Sequence, residues 1–170
     1  DTILPMLRPA ITAGEVTRLS DWKEQRYRDL VQRRPEPAEG VMALLDDLRA
    51  KGFKVAIGSS APGANVAVFS EALQLDRYVD ASVTKEHVSE GKPSPQTFLK
   101  AAEALSLPPV SCCVVEDAVH GVEAGKAGGM RVVAVTTTRT REELSLADRV
   151  VDSLAELAAE DFVTLLGEET

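Results

Sequence analysis

Aromatic residues and cysteines are both scarce in this chain. Phe, Tyr and Trp make up 4% of the 170 residues, while hydrophobic residues reach 44%, so we expect a core of mainly aliphatic side chains. The two cysteines, Cys112 and Cys113, are neighbours on a predicted strand and point to opposite faces, which predicts free thiols and a reducing, cytoplasmic location. No apolar run approaches about 18 residues and no signal-peptide pattern is present, so we expect no membrane segment.

An excess of positive charge is also lacking. The chain has 27 acidic and 19 basic residues, a formal net charge of −8. Nucleic-acid binding depends on a basic surface, so we expect no nucleic-acid partner. A phosphate ligand would have to be held by local positive groups or by a metal rather than by the overall field.

The first part of the chain differs in pattern from the rest. Scattered apolar residues among many charges predict two helical pieces, broken around residues 12–14. The run Arg33-Arg34-Pro35-Glu36-Pro37 predicts a linker, because its prolines stop a helix. We therefore predict an appendage over residues 1–34 and a main domain over 38–170.

Helical and strand patterns alternate through the main domain. The predicted helices cover 41–48, 64–73, 95–105, 119–127 and a last segment from about 153. The predicted strands cover 53–57, 78–83, 112–115, 131–135 and 149–151. This alternation predicts an α/β fold with a doubly wound, Rossmann-like parallel sheet.

Two polar clusters are candidates for phosphate binding at the carboxyl ends of the strands, where such folds bind ligands. Gly58-Ser59-Ser60 directly follows a predicted strand and offers a hydroxyl and backbone N–H groups. Lys92 lies between Gly91 and Pro93 in a stiff segment, and a lysine held in this way can neutralise a phosphoryl group or a nearby carboxylate. An ordinary turn and a solvated loop lysine are the alternatives.

A third cluster suits a metal. The Val-rich strand over 112–115 runs directly into Glu116 and Asp117, and two acids there are costly unless they are paired or metal-bound. Mg²⁺ takes one or two protein carboxylates and leaves room for water and a phosphate. Helix capping by Asp117 is the alternative.

In this order and spacing, the three clusters resemble the motifs of the haloacid dehalogenase superfamily of phosphohydrolases, in its β-phosphoglucomutase-like branch. The matching segments are 55–60, 91–95 and 115–124. The resemblance implies that Ser59, with Ser60 beside it, binds the transferring phosphate. It also implies that Lys92 steadies the phosphate and the nucleophile, and that Glu116 and Asp117 serve a Mg²⁺ site.

The resemblance also bears on residues outside these clusters. It implies that residues 1–34 are the remnant of a helical cap, in which Lys23 contacts the substrate. His120 is a candidate substrate contact, with a plain surface histidine as the alternative. Gly121 stands where many simple phosphatases of the family have an acid, and this favours the sugar-phosphate phosphatase or mutase branch.

The family's first motif has no counterpart in the sequence. In relatives an apolar strand ends in Asp-x-Asp, whose first Asp forms an aspartyl-phosphate and whose second is the general acid and base. Asp1 has no strand before it, and Asp46-Asp47 lie within a predicted helix. We therefore expect the first, central strand to be missing between those that end near Ser59 and Glu116. A complementing N-terminal fragment or a swapped partner chain is expected to fill its place.

The leading hypothesis is a fragment of a Mg²⁺-dependent phosphatase or phosphomutase that acts on a small sugar phosphate or a similar metabolite. This chain alone is expected to be inactive. A non-catalytic phosphate-binding or interaction module is one alternative, and the absent nucleophile favours it. Haloacid dehalogenation is another, although it needs no metal and the Glu116-Asp117 pair suits one.

Overall fold

The computed structural model describes residues 11–33 and 36–167. The helices are α1 Ala13–Arg33, α2 Val41–Ala50, α3 Gly63–Ala72, α4 Gln96–Ala104, α5 Val119–Ala127 and α6 Ala159–Gly167. The strands are β1 Ala56–Gly58, β2 Ala81–Val83, β3 Cys113–Glu116, β4 Arg131–Val135 and β5 Arg149–Val151. Within these ranges, no helix is long and apolar enough to cross a membrane.

The strands form two parallel sheets. One sheet pairs β1 with β2, and the other has the order β3-β4-β5. All three strand pairs are parallel, with Val114 of β3 opposite Val132 of β4 and Val133 opposite Arg149 of β5. The predicted α/β fold with parallel strands is therefore confirmed.

Helices cover both faces of β4, which lies at the centre of the core. Val132 and Ala134 pack in one apolar cluster with α4 and α5. Val133 and Val135 pack in a second cluster with α2 and α6. Alternate residues of a strand point to opposite faces. Because helices cover both faces of β4, its residues 132–135 all lie in apolar surroundings and form a continuous apolar run.

Three predicted segments begin three or more residues later than predicted. The strand predicted over 53–57 begins at Ala56, and the one predicted over 78–83 begins at Ala81. The last helix begins at Ala159, because Ser153 caps a short 3-10 turn over Leu154–Glu156 before it.

Helix α1 is continuous and begins where the sequence predicted a break. Thr12 and Glu15 form a reciprocal cap: the Thr12 N–H donates to Glu15 Oε2 at 2.9 Å, and the Glu15 N–H donates to Thr12 Oγ1 at 3.2 Å. The other predicted helical piece lies in residues 1–10, outside the described residues. Arg28 donates to the Oδ1 of buried Asn65 at 2.9 Å, which fixes α1 against α3.

Candidate functional site

Lys92 joins the carboxyl ends of the two sheets. Its Nζ donates to the carbonyl of Gly58, the last residue of β1, at 3.3 Å, and pairs with the carboxylate of Glu116, the last residue of β3. The two side chains are 13% and 11% exposed. The structure therefore brings the predicted lysine and the first of the predicted acids into direct contact.

An aromatic ring lies beside the ammonium group. The Lys92 Nζ lies 4.4 Å from the centroid of the Phe98 ring, a distance at which a cation is attracted to the ring face. A Cβ on Gly58 would come within 3.0 Å of the same ring, so glycine at the end of β1 leaves room for it. Phe98 is buried at the start of α4, two positions into the helix. The sequence did not predict this role of Phe98, because a phenylalanine in a helix is usually an ordinary core residue.

Glu116 is held by the start of the following helix as well as by Lys92. Its Oε2 accepts from the backbone N–H of Asp117 at 3.2 Å and of Ala118 at 3.4 Å. The carboxylate lies directly against Gly121, where any Cβ would overlap it. A side chain at position 121 would therefore force the Glu116 carboxylate out of this position.

Asp117 lies beside Glu116 and is oriented by the loop after β4. Its Oδ2 accepts from the Thr137 hydroxyl at 3.2 Å, and its backbone carbonyl accepts from the Thr138 hydroxyl at 2.8 Å. Sequence analysis did not single out these threonines. The available signal was a run of three threonines directly after the apolar strand over 131–135.

Ser59 follows β1 and begins the turn into α3. Its N–H donates to the Val83 carbonyl at 2.9 Å, and its Oγ accepts from the Ala61 N–H at 3.1 Å. Because Lys92 bonds to the carbonyl of Gly58, the peptide that links Gly58 to Ser59 lies at the lysine. Ser60 is exposed.

Lys23 and His120 form ion pairs with other residues than Lys92 and Glu116. Each side chain is 72% exposed, Lys23 in an ion pair with Glu24 on α1 and His120 with Glu123 on α5. Within the described part of the chain, neither is bonded to the Lys92–Glu116 pair. Their role as substrate contacts stays a prediction.

The acids can be tested for their fit to Mg²⁺. Among residues 11–33 and 36–167, no group of three or more His, Cys, Asp or Glu side chains is placed to hold a metal. Mg²⁺ needs only one or two carboxylates when water and a phosphate complete its shell. Both oxygens of Glu116 already accept hydrogen bonds, so Asp117 is the carboxylate better placed for a metal. The oxygen donors therefore fit Mg²⁺.

Comparison with known proteins places the chain in a family. The sequence pattern of the haloacid dehalogenase-like hydrolases matches residues 9–135. A haloacid dehalogenase-like hydrolase domain-containing protein of Arabidopsis thaliana is 34% identical over 153 residues, which are 87% of this chain and 48% of that protein. A β-phosphoglucomutase of Mycobacterium bovis is 39% identical over 130 residues, 70% of this chain and 48% of that enzyme. The chain thus spans about half the length of these two relatives.

The solved structures agree on the fold. A family IA HAD hydrolase of Entamoeba histolytica superposes with a TM-score of 0.83 at 22% identity, over 93% of this chain and 74% of that one. A β-phosphoglucomutase of Clostridium difficile gives a TM-score of 0.82 at 25% identity, over 92% of this chain and 69% of that one. The family match covers well over half of the sequence and includes all three polar clusters. The chain therefore belongs to the haloacid dehalogenase-like hydrolases.

Proposed function

We propose that these residues form the phosphate- and metal-binding part of a Mg²⁺-dependent phosphatase or phosphomutase that acts on a small sugar phosphate or a similar metabolite. The observation that carries the proposal is the contact of Lys92 with both Gly58 and Glu116, at the meeting of two strand ends that lead into Ser59 and Asp117. The family match and the similarity to a β-phosphoglucomutase support it.

Each residue has a separate task in this proposal. Ser59 presents its hydroxyl to a phosphate oxygen, and Lys92 supplies the positive charge that a dianionic phosphate requires in an acidic protein. Glu116 fixes the position of the lysine ammonium, while Asp117 would hold Mg²⁺ with its carboxylate. Bound Mg²⁺ would neutralise charge on the phosphoryl group and polarise it.

A nucleophile is the part that these residues do not supply. In the proposed reaction of the intact enzyme, an aspartate carboxylate attacks phosphorus, and the aspartyl-phosphate is then resolved by water or by a sugar hydroxyl. In one protease series, loss of the nucleophile lowers the rate on the order of 10⁶-fold. We accordingly propose that the 170-residue chain binds phosphate and Mg²⁺ but turns over no phosphate ester on its own.

Calorimetric titration of the purified chain with MgCl₂ and, separately, with inorganic phosphate tests the proposal. We expect Asp117→Asn to weaken Mg²⁺ binding and Lys92→Met to weaken phosphate binding, each by at least about tenfold, or about 1.4 kcal/mol. Matched controls are Asp76→Asn and Lys100→Met, whose side chains are exposed on other surfaces.

Two results would contradict the proposal: a wild-type chain that binds neither ion, or site variants that bind like their controls. Because Lys92→Met leaves Glu116 without its cation, Lys92→Arg serves as a second variant that keeps the charge. Chelator-resistant release of chloride from a chloroacid would replace the proposal with dehalogenation.

A cytoplasmic location belongs to the same proposal. Both cysteines are free thiols. Burial raises the pKa of Cys113 to about 12, so its thiol stays protonated and unreactive at neutral pH. Free, unreactive cysteines suit a reducing compartment.

A further inference from the structure

Asn65 is a buried amide in the first turn of α3 that the proposed function leaves unexplained. It is 5% exposed, and its side chain bonds to a different helix. Its Nδ2 donates to the carboxylate of Glu24, and its Oδ1 accepts from Arg28 Nη1 at 2.9 Å. These partners lie on α1, 41 and 37 positions earlier in the sequence. Because a buried amide is costly unless its polar atoms are bonded, α1 satisfies a polar group of α3.

Only an amide suits both partners of Asn65. A guanidinium only donates hydrogen bonds, and a carboxylate only accepts them. Asparagine has one oxygen and one NH₂ group on a short side chain, so it can bond to Arg28 and to Glu24 at once. Hydrogen bonds from Lys23 and from Asn65 hold the pKa of Glu24 below its usual value, so Glu24 is a carboxylate at neutral pH. A carboxylate at position 65 would keep the bond to Arg28 but would repel Glu24.

The bonds of Asn65 matter for the position of α1, because this helix has little apolar packing. None of its side chains, all of which lie in the described ranges, is buried. Four of its hydrophobic side chains are between 42% and 67% exposed: Leu19, Trp22, Tyr27 and Leu30. Apolar burial stabilises in proportion to the area removed from water, so it holds α1 only weakly. The bonds of Asn65 are therefore a main part of what fixes α1 on α3.

Asn65 also closes the turn that carries Ser59. The Ser59 turn, residues 59–62, follows β1, and within it the Ser59 Oγ accepts from the Ala61 N–H at 3.1 Å. The turn ends at Pro62, whose carbonyl accepts from the Asn65 N–H at 2.9 Å. Asn65 thus bonds to the Ser59 turn through its backbone and to α1 through its side chain. Loss of the side-chain bonds would loosen the first turn of α3 and, with it, the orientation of the Ser59 hydroxyl.

We propose that Asn65 is a positioning residue for phosphate binding, which fixes the Ser59 turn against α1 through its bonds to Glu24 and Arg28. These bonds hold the Ser59 hydroxyl in the orientation that binds a phosphate oxygen, so Glu24 and Arg28 contribute to phosphate affinity through Asn65. The inference rests on the proposed function, which assigns the phosphate to Ser59. Because linkage is reciprocal, bound phosphate strengthens the docking of α1 by the same factor.

An exchange of amide and carboxylate between the two helices tests the role of Asn65. Asn65→Asp keeps the acceptor for Arg28 and puts a second carboxylate against Glu24. The double variant Asn65→Asp, Glu24→Gln moves the amide to α1, so that a donor and an acceptor face each other again. Gln74→Glu is the matched control, because it makes the same change of charge at an exposed residue just after α3.

Hydrogen exchange followed by NMR, without phosphate or Mg²⁺, measures the order of the Ser59 turn. The Ala61 amide is the probe, because it donates to the Ser59 hydroxyl. We expect Asn65→Asp to speed exchange at Ala61 by at least about tenfold, which the loss of one hydrogen bond to a charged group can produce, and to leave β4 unchanged. The double variant should restore the wild-type rate, and Gln74→Glu should keep it.

Calorimetric titration with inorganic phosphate measures the consequence for binding. We expect Asn65→Asp to weaken phosphate binding by at least about fivefold and the double variant to bind within about twofold of the wild type. Arg28→Met is a second variant, which removes the other bond of Asn65 from the side of α1 and should also weaken phosphate binding. Thermal melts show that each variant folds.

Three results would overturn the inference. Unchanged exchange at Ala61 in Asn65→Asp would show that the Ser59 turn does not depend on Asn65, even where the wild type binds phosphate. Equal phosphate binding by Asn65→Asp and the wild type, or a double variant as weak as Asn65→Asp, would remove the role of Asn65 in binding. A wild-type chain that binds no phosphate would overturn the proposed function itself, whatever the exchange at Ala61 shows.

Discussion

Gly121→Ala is the sharpest test of how the site is built. Gly121 is buried in the first turn of α5, and an added Cβ would overlap the carboxylate of Glu116. Overpacking of a tight site costs about 1–3 kcal/mol, and the helical preference of alanine over glycine offsets up to about 1 kcal/mol. With the full offset, we therefore expect a net loss of up to about 2 kcal/mol in the free energy of unfolding. For a domain of this size the loss lowers the Tm by up to about 8 °C.

A double-mutant cycle shows whether Glu116 is the cause. In a Glu116→Ala background the carboxylate is gone, so Gly121→Ala should be neutral or stabilising, with a coupling of at least about 1 kcal/mol. Gly14→Ala is the matched control, because a Cβ at Gly14 meets nothing within 4 Å. Urea unfolding of the four variants of the cycle measures the coupling. An equal cost of Gly121→Ala in both backgrounds would refute the steric argument.

Two further predictions concern single side chains. Asp148 accepts from Lys126 at 2.8 Å and from the Val132 N–H at 2.7 Å. Burial favours its neutral form, but these bonds outweigh burial and hold its pKa below the usual range. The stability that they contribute is present above pH about 4 and is lost as pH falls through the lower folded pKa. At pH 7, urea unfolding should therefore show that Asp148→Asn lowers the free energy of unfolding by about 1.5–3 kcal/mol. This loss should shrink toward pH 3, and a loss that is the same at both pH values would contradict the prediction. Separately, Phe98→Leu removes the ring beside Lys92 and should weaken phosphate binding about 2–5-fold. Phe98→Tyr keeps a ring and should bind phosphate like the wild type. Equal binding by the two variants would show that the ring does not contribute to phosphate binding.

The elements that the sequence predicted best are the ones with the most local signals. The helix over 119–127 and the strands over 131–135 and 149–151 have the predicted bounds. The strand predicted from residue 53 begins three residues later, because the Val55 N–H bonds to the carboxylate of Asp80 at 2.9 Å instead of entering the ladder. Asp80 is 25 positions from Val55 in sequence, so the local hydrophobic periodicity does not reveal this hydrogen bond.

The site residues were likewise predicted only as far as local sequence patterns allow. Sequence patterns singled out Ser59 and Glu116 because they follow or end predicted strands, where ligands bind, and Lys92 because prolines stiffen its segment. These patterns could not predict the pairing of Lys92 with Glu116, because the two residues are 24 positions apart in sequence with a helix between them. Gly121 was noted only as a departure from the family pattern, and its steric reason required the position of the Glu116 carboxylate.

The Lys92–Glu116 pair is better explained by function than by stability. Both side chains are largely buried, and taking two charges from water costs about as much as their attraction returns, so an apolar pair would serve a core equally well. The ammonium group of a lysine fixed in this way lies at a strand end, where a phosphate can share it. The buried ion pair is thus explained by the phosphate that it can help to bind rather than by the stability that it adds.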